Sequence, residues 1–179
     1  MVRHGAAPTL ETARLRLRAH VVEDFEPIAV MSGDPSVMRH VTGPLPREDV
    51  WRRMMCGPGM WALLGFGYWV VERRDDDELI GQIGLADFKR DMQPSIEGLP
   101  ELGYIFAAAA HGQGYAGEAA TAVLAWADAE LGSDQIVAII NADNAPSIRL
   151  AERLGFLQRE EASYKSEPIL LFRRYAAAR

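Results

Sequence analysis

The chain has 179 residues, a length that suits one domain with a sizeable hydrophobic core. Hydrophobic residues make up 49% and charged residues 25% of the chain, as in ordinary globular proteins, so a disordered chain is excluded. The formal net charge of −6 argues against non-specific nucleic-acid binding, which requires a basic surface. It leaves room for a local basic groove.

The sequence is typical of a protein from a reducing compartment. Its one cysteine, Cys56, cannot form an internal disulfide. The N-terminal residues lack the apolar core of a signal peptide, and the longest uncharged apolar run, 60–71, is too short to span a bilayer. We therefore expect a cytoplasmic protein with neither a membrane nor a nucleic-acid partner.

Periodicity and turn residues predict the elements of the first half of the chain. In chain order they are a strand at 14–18, short helices at 24–31 and 48–55 separated by Gly-Pro-Leu-Pro at 43–46, a buried strand with its lead-in at 60–71, and a hairpin of 67–74 and 79–88 around an acidic turn. A polar loop with two prolines comes next, at 89–100.

The second half reads as strand, helix, strand, helix, strand. Its elements are strands at 102–106, 135–140 and 169–172, a helix from Glu118 to Leu131, and a second helix that Asn144 caps and Gly155 ends. Residues Tyr115, Ala119, Val123, Trp126 and Ala127 recur at helical spacing and predict one buried helix face. The mixed order predicts a single α+β domain over 1–179, with a mostly antiparallel sheet, a parallel pair in its middle and flanking helices.

The most informative stretch is 101–119, where a strand leads into a glycine-rich turn and then a helix. This arrangement binds phosphates, because loop amides and the helix N-terminus face the oxygens. No Gly-Lys-Ser/Thr ending of a Walker-type loop is present. Gly112, Gly114 and Gly117 match the dinucleotide pattern G-x-G-x-x-G, which requires an acidic residue about 20 residues later, at the end of the next strand. Here the next strand, 135–140, ends beyond that distance, and Asp143 comes too late.

His111-x-x-Gly114-x-Ala116 resembles the Q/R-x-x-G-x-G/A pyrophosphate loop of the GNAT superfamily of N-acetyltransferases, with His111 as a departure at the first position. Other segments are similar to the same family over about residues 9–175. Residues 9–18 are similar to the opening strand of the family branch that includes ribosomal-protein N-terminal acetyltransferases. Residues 101–106 are similar to the family's central strand. Residues 144–147 with 154–156 are similar to its asparagine–serine helix and the turn after it.

The resemblance implies that the central strands splay apart and that acetyl-CoA, the co-substrate, pairs with the exposed edge Tyr104–Ala107. Amides of Ile105 or Phe106 would then face the thioester oxygen. The implied cofactor contacts are Ile105, Phe106, Ala107, Gly112, Gln113, Gly114, Tyr115, Ala116, Gly117, Asn144 and Arg149. No metal is expected, because the sequence has no His-x-x-x-His motif and no cluster of cysteine and histidine.

Two further cofactor assignments have ordinary alternatives. Asn144 can serve as a helix cap alone. Arg149 and Arg153, four residues apart, can reach the phosphates or pair with Glu152 or Glu160 on the surface.

Acetyl transfer needs a neutral amine, a stabilised oxyanion and a protonated leaving thiolate. Glu101 is the candidate base; its alternative is a solvated carboxylate at a strand end. Many relatives carry a tyrosine seven residues after the asparagine, where this chain has Ala151. Ser147 is the candidate replacement, with helix capping as its alternative, and Tyr164 is a more distant candidate.

We therefore expect an N-acetyltransferase that moves an acetyl group from acetyl-CoA to a primary amine by direct attack in a ternary complex. The amine is a protein N-terminus or a small molecule, and the protein is a monomer or homodimer. The alternative is a non-catalytic acyl-CoA-binding or regulatory module of the same fold. Substrate choice is expected to lie in 24–55, 89–100 and 160–167.

Overall fold

The computed structural model describes residues 5–176. The helices are α1 (Phe25–Gly33), α2 (Pro35–Met38), α3 (Arg47–Leu64), α4 (Tyr115–Trp126) and α5 (Ala145–Arg153), with 3-10 turns at Val22–Asp24 and Ala108–Ala110. The strands are β1 (Leu10–Glu11), β2 (Leu15–Arg18), β3 (Tyr68–Arg73), β4 (Leu79–Ala86), β5 (Met92–Gln93), β6 (Glu101–Phe106), β7 (Gln135–Asn141), β8 (Gln158–Tyr164) and β9 (Glu167–Tyr175). No helix within 5–176 is long and apolar enough to cross a membrane.

The strands form one sheet in the order β1-β2-β3-β4-β6-β7-β9-β8-β5. Every neighbouring pair is antiparallel except the central pair β6 and β7. This confirms the predicted α+β class, with a parallel pair in the middle of a mostly antiparallel sheet.

Helices cover both faces of the sheet. On one face α4 packs its small residues Ala119, Ala120 and Val123, all fully buried, against the strands. Small side chains let the helix approach the sheet closely, and this face carries the largest hydrophobic cluster. On the other face, α1 and α3 pack around Val70 through Ile28, Ala29, Val50 and Met54.

Three tryptophans from different elements meet in the main core. Trp61, Trp69 and Trp126 make mutual edge-on contacts with ring centroids 4.6–5.3 Å apart. The Trp69 indole N–H donates to the Pro8 carbonyl at 2.7 Å, which ties the chain before β1 to β3. Edge-to-face pairs add to the gain from burial, so this cluster joins α3, α4 and the sheet.

The predicted strand at 60–71 is wrong in its first part, because α3 continues to Leu64 and the strand begins at Tyr68. The helix carries Pro58 in its interior and still continues to a left-handed Gly65 at φ +74°. Its buried residues recur at helical spacing and outweigh the proline: Val50, Met54, Gly57 and Trp61.

Other boundaries also differ from prediction. Helix α4 begins at Tyr115 rather than Glu118, so Gly117 lies in its first turn. Two strands were not predicted, β5 within the 89–100 loop and the polar β8. Strand β8 pairs with β9 but is mostly exposed, so it lacks the apolar alternation by which strands are recognised.

Replacing Trp69 with alanine should test the tryptophan cluster. The side chain is fully buried, so Trp69→Ala is expected to lower the free energy of unfolding by about 3–5 kcal/mol. Urea unfolding followed by circular dichroism measures this loss. Leu157→Ala is the control, because Leu157 is 82% exposed and its loss should change stability by less than about 0.5 kcal/mol.

Candidate active site

Strands β6 and β7 separate immediately after they meet. Their parallel pairing consists of one register position, Glu101 opposite Val137, and the Val137 N–H donates to the Pro100 carbonyl at 2.9 Å. Beyond this point each strand pairs only with its other neighbour, β4 or β9. The predicted splayed pair is therefore present, and one edge of β6 faces a gap in the sheet.

Backbone alternation decides which β6 amides face that gap. Pro100 directs its carbonyl toward β7, whereas the Ala107 N–H donates to the Ile80 carbonyl on the β4 side at 2.9 Å. Because successive residues of a strand point to opposite neighbours, Ile105 also directs its N–H toward β4. Of the three predicted backbone contacts, Phe106 alone presents a free N–H to the gap.

The glycine loop comes after β6 and ends in an uncapped helix start. Gly112 and Gly114 adopt left-handed conformations at φ +74° and +82°, which favour glycine. Gly114 is the N-cap of α4 and has no side chain to offer, so the first-turn amides from Gly114 to Gly117 lack an intrahelical acceptor. Open amides and the helix dipole together make a site for an anion.

Arg14, which the sequence interpretation did not single out, lies beside this loop. Its guanidinium donates to the Gln113 carbonyl at 3.0 Å and lies 4.5 Å from the centre of the Tyr115 ring. It also pairs with Glu118 at 2.7 Å. Burial acts to raise the pKa of Glu118, but hydrogen bonds from Thr12 and Arg14 outweigh it and hold that pKa below its usual range. Arg14 therefore fastens the loop to β2.

His111 closes the other end of the loop. Its Nε2 atom lies 2.9 Å from the Phe106 carbonyl oxygen, at the end of β6. The Gln113 side chain donates to the Ala109 carbonyl at 2.6 Å. The departure from the usual first residue of the loop thus has a structural role, because the histidine binds the last carbonyl of the splayed strand.

The α5 helix begins where β7 leaves the gap. The Asn144 side-chain oxygen accepts the Ser147 N–H at 3.3 Å, which confirms the predicted cap. The Tyr104 hydroxyl donates to Ser147 Oγ at 2.9 Å, so β6 and α5 are joined by their side chains. Burial raises the pKa of Tyr104 and keeps it protonated at neutral pH. The sequence prediction placed Tyr104 on the exposed strand edge but gave its hydroxyl no role.

Three other α5 positions clarify the alternatives. Ala151 is buried in the core beneath the helix, so a tyrosine there would be overpacked. Arg149 and Arg153 are exposed and make no ion pair with any residue in 5–176; Glu160 instead pairs with Arg173. Within that range, the guanidinium of Arg149 has no acidic partner.

Glu101 is not a solvated carboxylate. It is 4% exposed, and its two oxygens accept hydrogen bonds from Arg90 at 2.6 and 2.8 Å. Burial alone would lower the pKa of Arg90, but its hydrogen bonds and the charge of Glu101 outweigh burial and raise it. The Arg90 guanidinium lies 4.8 Å from the ring centres of both Phe88 and Tyr164.

The structure thus gathers the predicted residues around one gap. The glycine loop and Asn144 come directly after its two strands, Ser147 reaches β6, and Glu101 lies where the strands part. Tyr164 packs its ring against Arg90, the residue that binds Glu101. A split sheet beside an anion-binding helix start is a site for a long phosphorylated ligand, as in enzymes that use a nucleotide-linked acyl donor.

Comparison with known proteins identifies the family. The model described as an acetyltransferase (GNAT) domain matches residues 14–157, and the chain belongs to this family. Its nine-stranded fold is the GNAT fold, and the protein is an acetyltransferase.

Relatives match over most of their length. YkkB from Bacillus subtilis is 28% identical over 171 residues, 95% of this chain and 97% of that protein. The B. subtilis N-acetyltransferase YoaA is 31% identical over 153 residues, 83% and 82% of the two chains. A solved acetyltransferase from Agrobacterium tumefaciens is 28% identical with a TM-score of 0.80, covering 95% of each chain.

More distant structures share the fold. RimL, a ribosomal L7/L12 α-N-protein acetyltransferase solved with coenzyme A, has a TM-score of 0.76 at 14% identity, over 94% of this chain and 98% of that one. Spermidine N-acetyltransferase from Vibrio cholerae, solved with CoA and spermine, has a TM-score of 0.72 at 18% identity, over 92% and 97%.

Proposed function

We propose that the protein transfers an acetyl group from acetyl-CoA to a primary amine, with both substrates bound together. The observation that carries the proposal is the gap between β6 and β7, lined by unpaired backbone and flanked by the uncapped start of α4. Family membership and relatives named N-acetyltransferases support an enzyme over the non-catalytic acyl-CoA-binding alternative.

The residues present fit a CoA ester. Its phosphates suit the free amides between Gly112 and Gly117 and the unpaired Arg149. The Phe106 N–H, free at the gap, suits the thioester oxygen. Asn144 is both helix cap and a candidate contact with the ester's amide arm.

Acetyl-CoA supplies an activated acyl group whose thiolate leaves as the amine nitrogen bonds to the carbonyl carbon. The protein's part is to stabilise the oxyanion through Phe106 N–H and to receive the proton that the amine loses. Glu101 is the candidate for that proton. Ser147 is the candidate hydrogen-bond donor to the thiolate, because its oxygen already accepts from Tyr104 and its own hydrogen is therefore free to point elsewhere.

The identity of the amine is proposed only by class. Structural neighbours act, by their names, on a ribosomal-protein terminus and on spermidine, so peptide termini and small amines both fit the fold. An α-amine with a pKa of about 7.8 is roughly a third neutral near pH 7.4, whereas a lysine-type amine is about 0.1% neutral. Removal of a proton by Glu101 therefore matters more for a lysine-type amine than for an α-amine.

The glycine loop is tested by Gly114→Val. A side chain at φ +82° strains the backbone and crowds the amides that would hold the pyrophosphate, so CoA affinity should fall at least about tenfold. Isothermal calorimetry with CoA measures it. Gly132→Val is the matched control, because Gly132 has φ +65° and open space but follows the π-helical turn Ala127–Leu131, at the opposite end of α4 from the loop. Equal CoA affinity in the two folded variants would contradict the assignment.

The Tyr104–Ser147 bond is tested by a double-mutant cycle. Ser147→Ala and Tyr104→Phe should each lower kcat by about 10- to 100-fold, the range for a charge-assisted hydrogen bond, with CoA affinity unchanged. The double variant should be little worse than either single one, because Tyr104 acts through Ser147. Fully additive losses in steady-state kinetics would show that the two hydroxyls act separately.

The role of Glu101 is tested by Glu101→Gln. A general base contributes about 10²- to 10⁴-fold, so kcat/KM for the amine should fall by that factor well below the amine's pKa. The loss should shrink as pH approaches the amine's pKa, because a growing share of the amine is then already neutral and needs no proton removed before it attacks. A pH–rate profile parallel to that of the unaltered protein would contradict the base assignment.

Arg90→Gln separates chemistry from structure. Either Arg90→Gln or Glu101→Gln breaks the buried ion pair between these two residues and leaves the remaining charge without its partner. Each variant should therefore lower the free energy of unfolding by up to about 3–5 kcal/mol. Only Glu101→Gln removes the carboxylate, so it alone should show the pH-dependent loss of rate. Identical pH profiles in the two variants would assign the pair a structural role.

A further inference from the structure

The hydroxyl of Tyr68 lies directly above the backbone of β6. Tyr68 begins β3 and lies opposite Gly84 of β4, which lies opposite Gly103 of β6. A Cβ atom built on Gly103 would lie 2.1 Å from Tyr68 Oη. The tyrosine side chain therefore crosses β4 and ends over the splayed strand, two residues after Glu101.

Two glycines make room for this side chain. A Cβ on Gly84 would lie 2.4 Å from the Cα of Tyr68 and 2.3 Å from the Gly67 carbonyl oxygen, closer than real Cβ contacts occur. Any side chain at Gly84 or Gly103 would displace the tyrosine. Glycine within strands marks sites of close approach: here Gly84 accommodates the backbone of Tyr68, and Gly103 accommodates its phenol.

The Tyr68 hydroxyl has no hydrogen-bond partner among residues 5–176. A tyrosine hydroxyl in a partly buried position usually finds one. Burial raises the pKa of Tyr68, and the nearby negative charge of Glu101 acts in the same direction, so the hydroxyl keeps its proton. It can therefore donate one hydrogen bond and accept others at neutral pH.

The hydroxyl lies on the same face of β6 as the candidate base. Side chains alternate along a strand, so Glu101 and Gly103 point to the same face of β6. Leu102 and Phe106 point to the opposite face, where both are buried in the cluster beneath α4. The unpartnered hydroxyl, the candidate base and the missing side chain of Gly103 thus share one side of the strand.

We propose that Tyr68 Oη contacts the nitrogen of the acceptor amine, an inference that rests on the proposed acetyl transfer. The neutral primary amine donates an N–H to the phenol oxygen, which orients its lone pair toward the gap between β6 and β7. Tyr68 is then a catalytic residue that touches substrate, and Gly103 leaves the space that its hydroxyl occupies.

The test is Tyr68→Phe, which keeps the ring and removes only the oxygen. The amine is one that the unaltered protein acetylates, from a panel of alanine- and serine-starting peptides and spermidine. We expect kcat/KM for that amine to fall about 3- to 10-fold, as for one neutral hydrogen bond, while the KM for acetyl-CoA and the CoA affinity stay unchanged. Tyr175→Phe is the matched control, because its hydroxyl bonds to Gln158 far from the gap.

A change of less than twofold in kcat/KM for the amine, with the variant folded, would overturn the contact. An equal loss in CoA affinity would also overturn it, because the effect would then belong to the cofactor. Gly103→Ala gives a second measurement, since the added methyl must displace the hydroxyl and should reproduce the Tyr68→Phe loss. If the unaltered protein binds CoA but acetylates no amine, the proposed function fails, and this inference fails with it.

Discussion

The site depends on a single register position, the contact of Glu101 with Val137. Unpaired backbone within a protein is costly, so a sheet that opens in its middle needs another partner there. The opening also sets the geometry of the cofactor site. Strand β6 continues into the glycine loop and β7 into α5, so the two halves of that site diverge from one point and face each other across the gap.

Three side chains around the gap bind other groups of the protein itself. Arg14 binds the carbonyl of Gln113, and His111 binds that of Phe106. Arg90 occupies the two oxygens of Glu101. A protein of net charge −6 thus fixes its anion-binding loop in advance with the side chains of Arg14 and His111, which lowers the ordering cost of binding.

Sequence reasoning recovered the fold and the loop because both leave local signals. Gly112 and Gly114 mark left-handed turns, and the capping pair of Asn144 and Ser147 lies within one helical turn. Contacts between distant segments leave no such signal. The bond from Tyr104 to Ser147 spans 43 positions, and the reach of Tyr68 over Gly103 depends on the registry of three strands. Strand β8 was not predicted, because its residues are polar on both faces and show no apolar alternation.

The outer strands of the sheet are short and polar. At one end β1 has two residues, and at the other β5, also two residues long, pairs only with Ser163 and Tyr164 of β8. The rest of the β8 edge displays Arg159, Glu160 and Glu161. Strand addition from a second molecule needs a long, uncharged edge as a template. The native sheet offers none at β1 or β8, so it should resist edge-to-edge aggregation in concentrated solution.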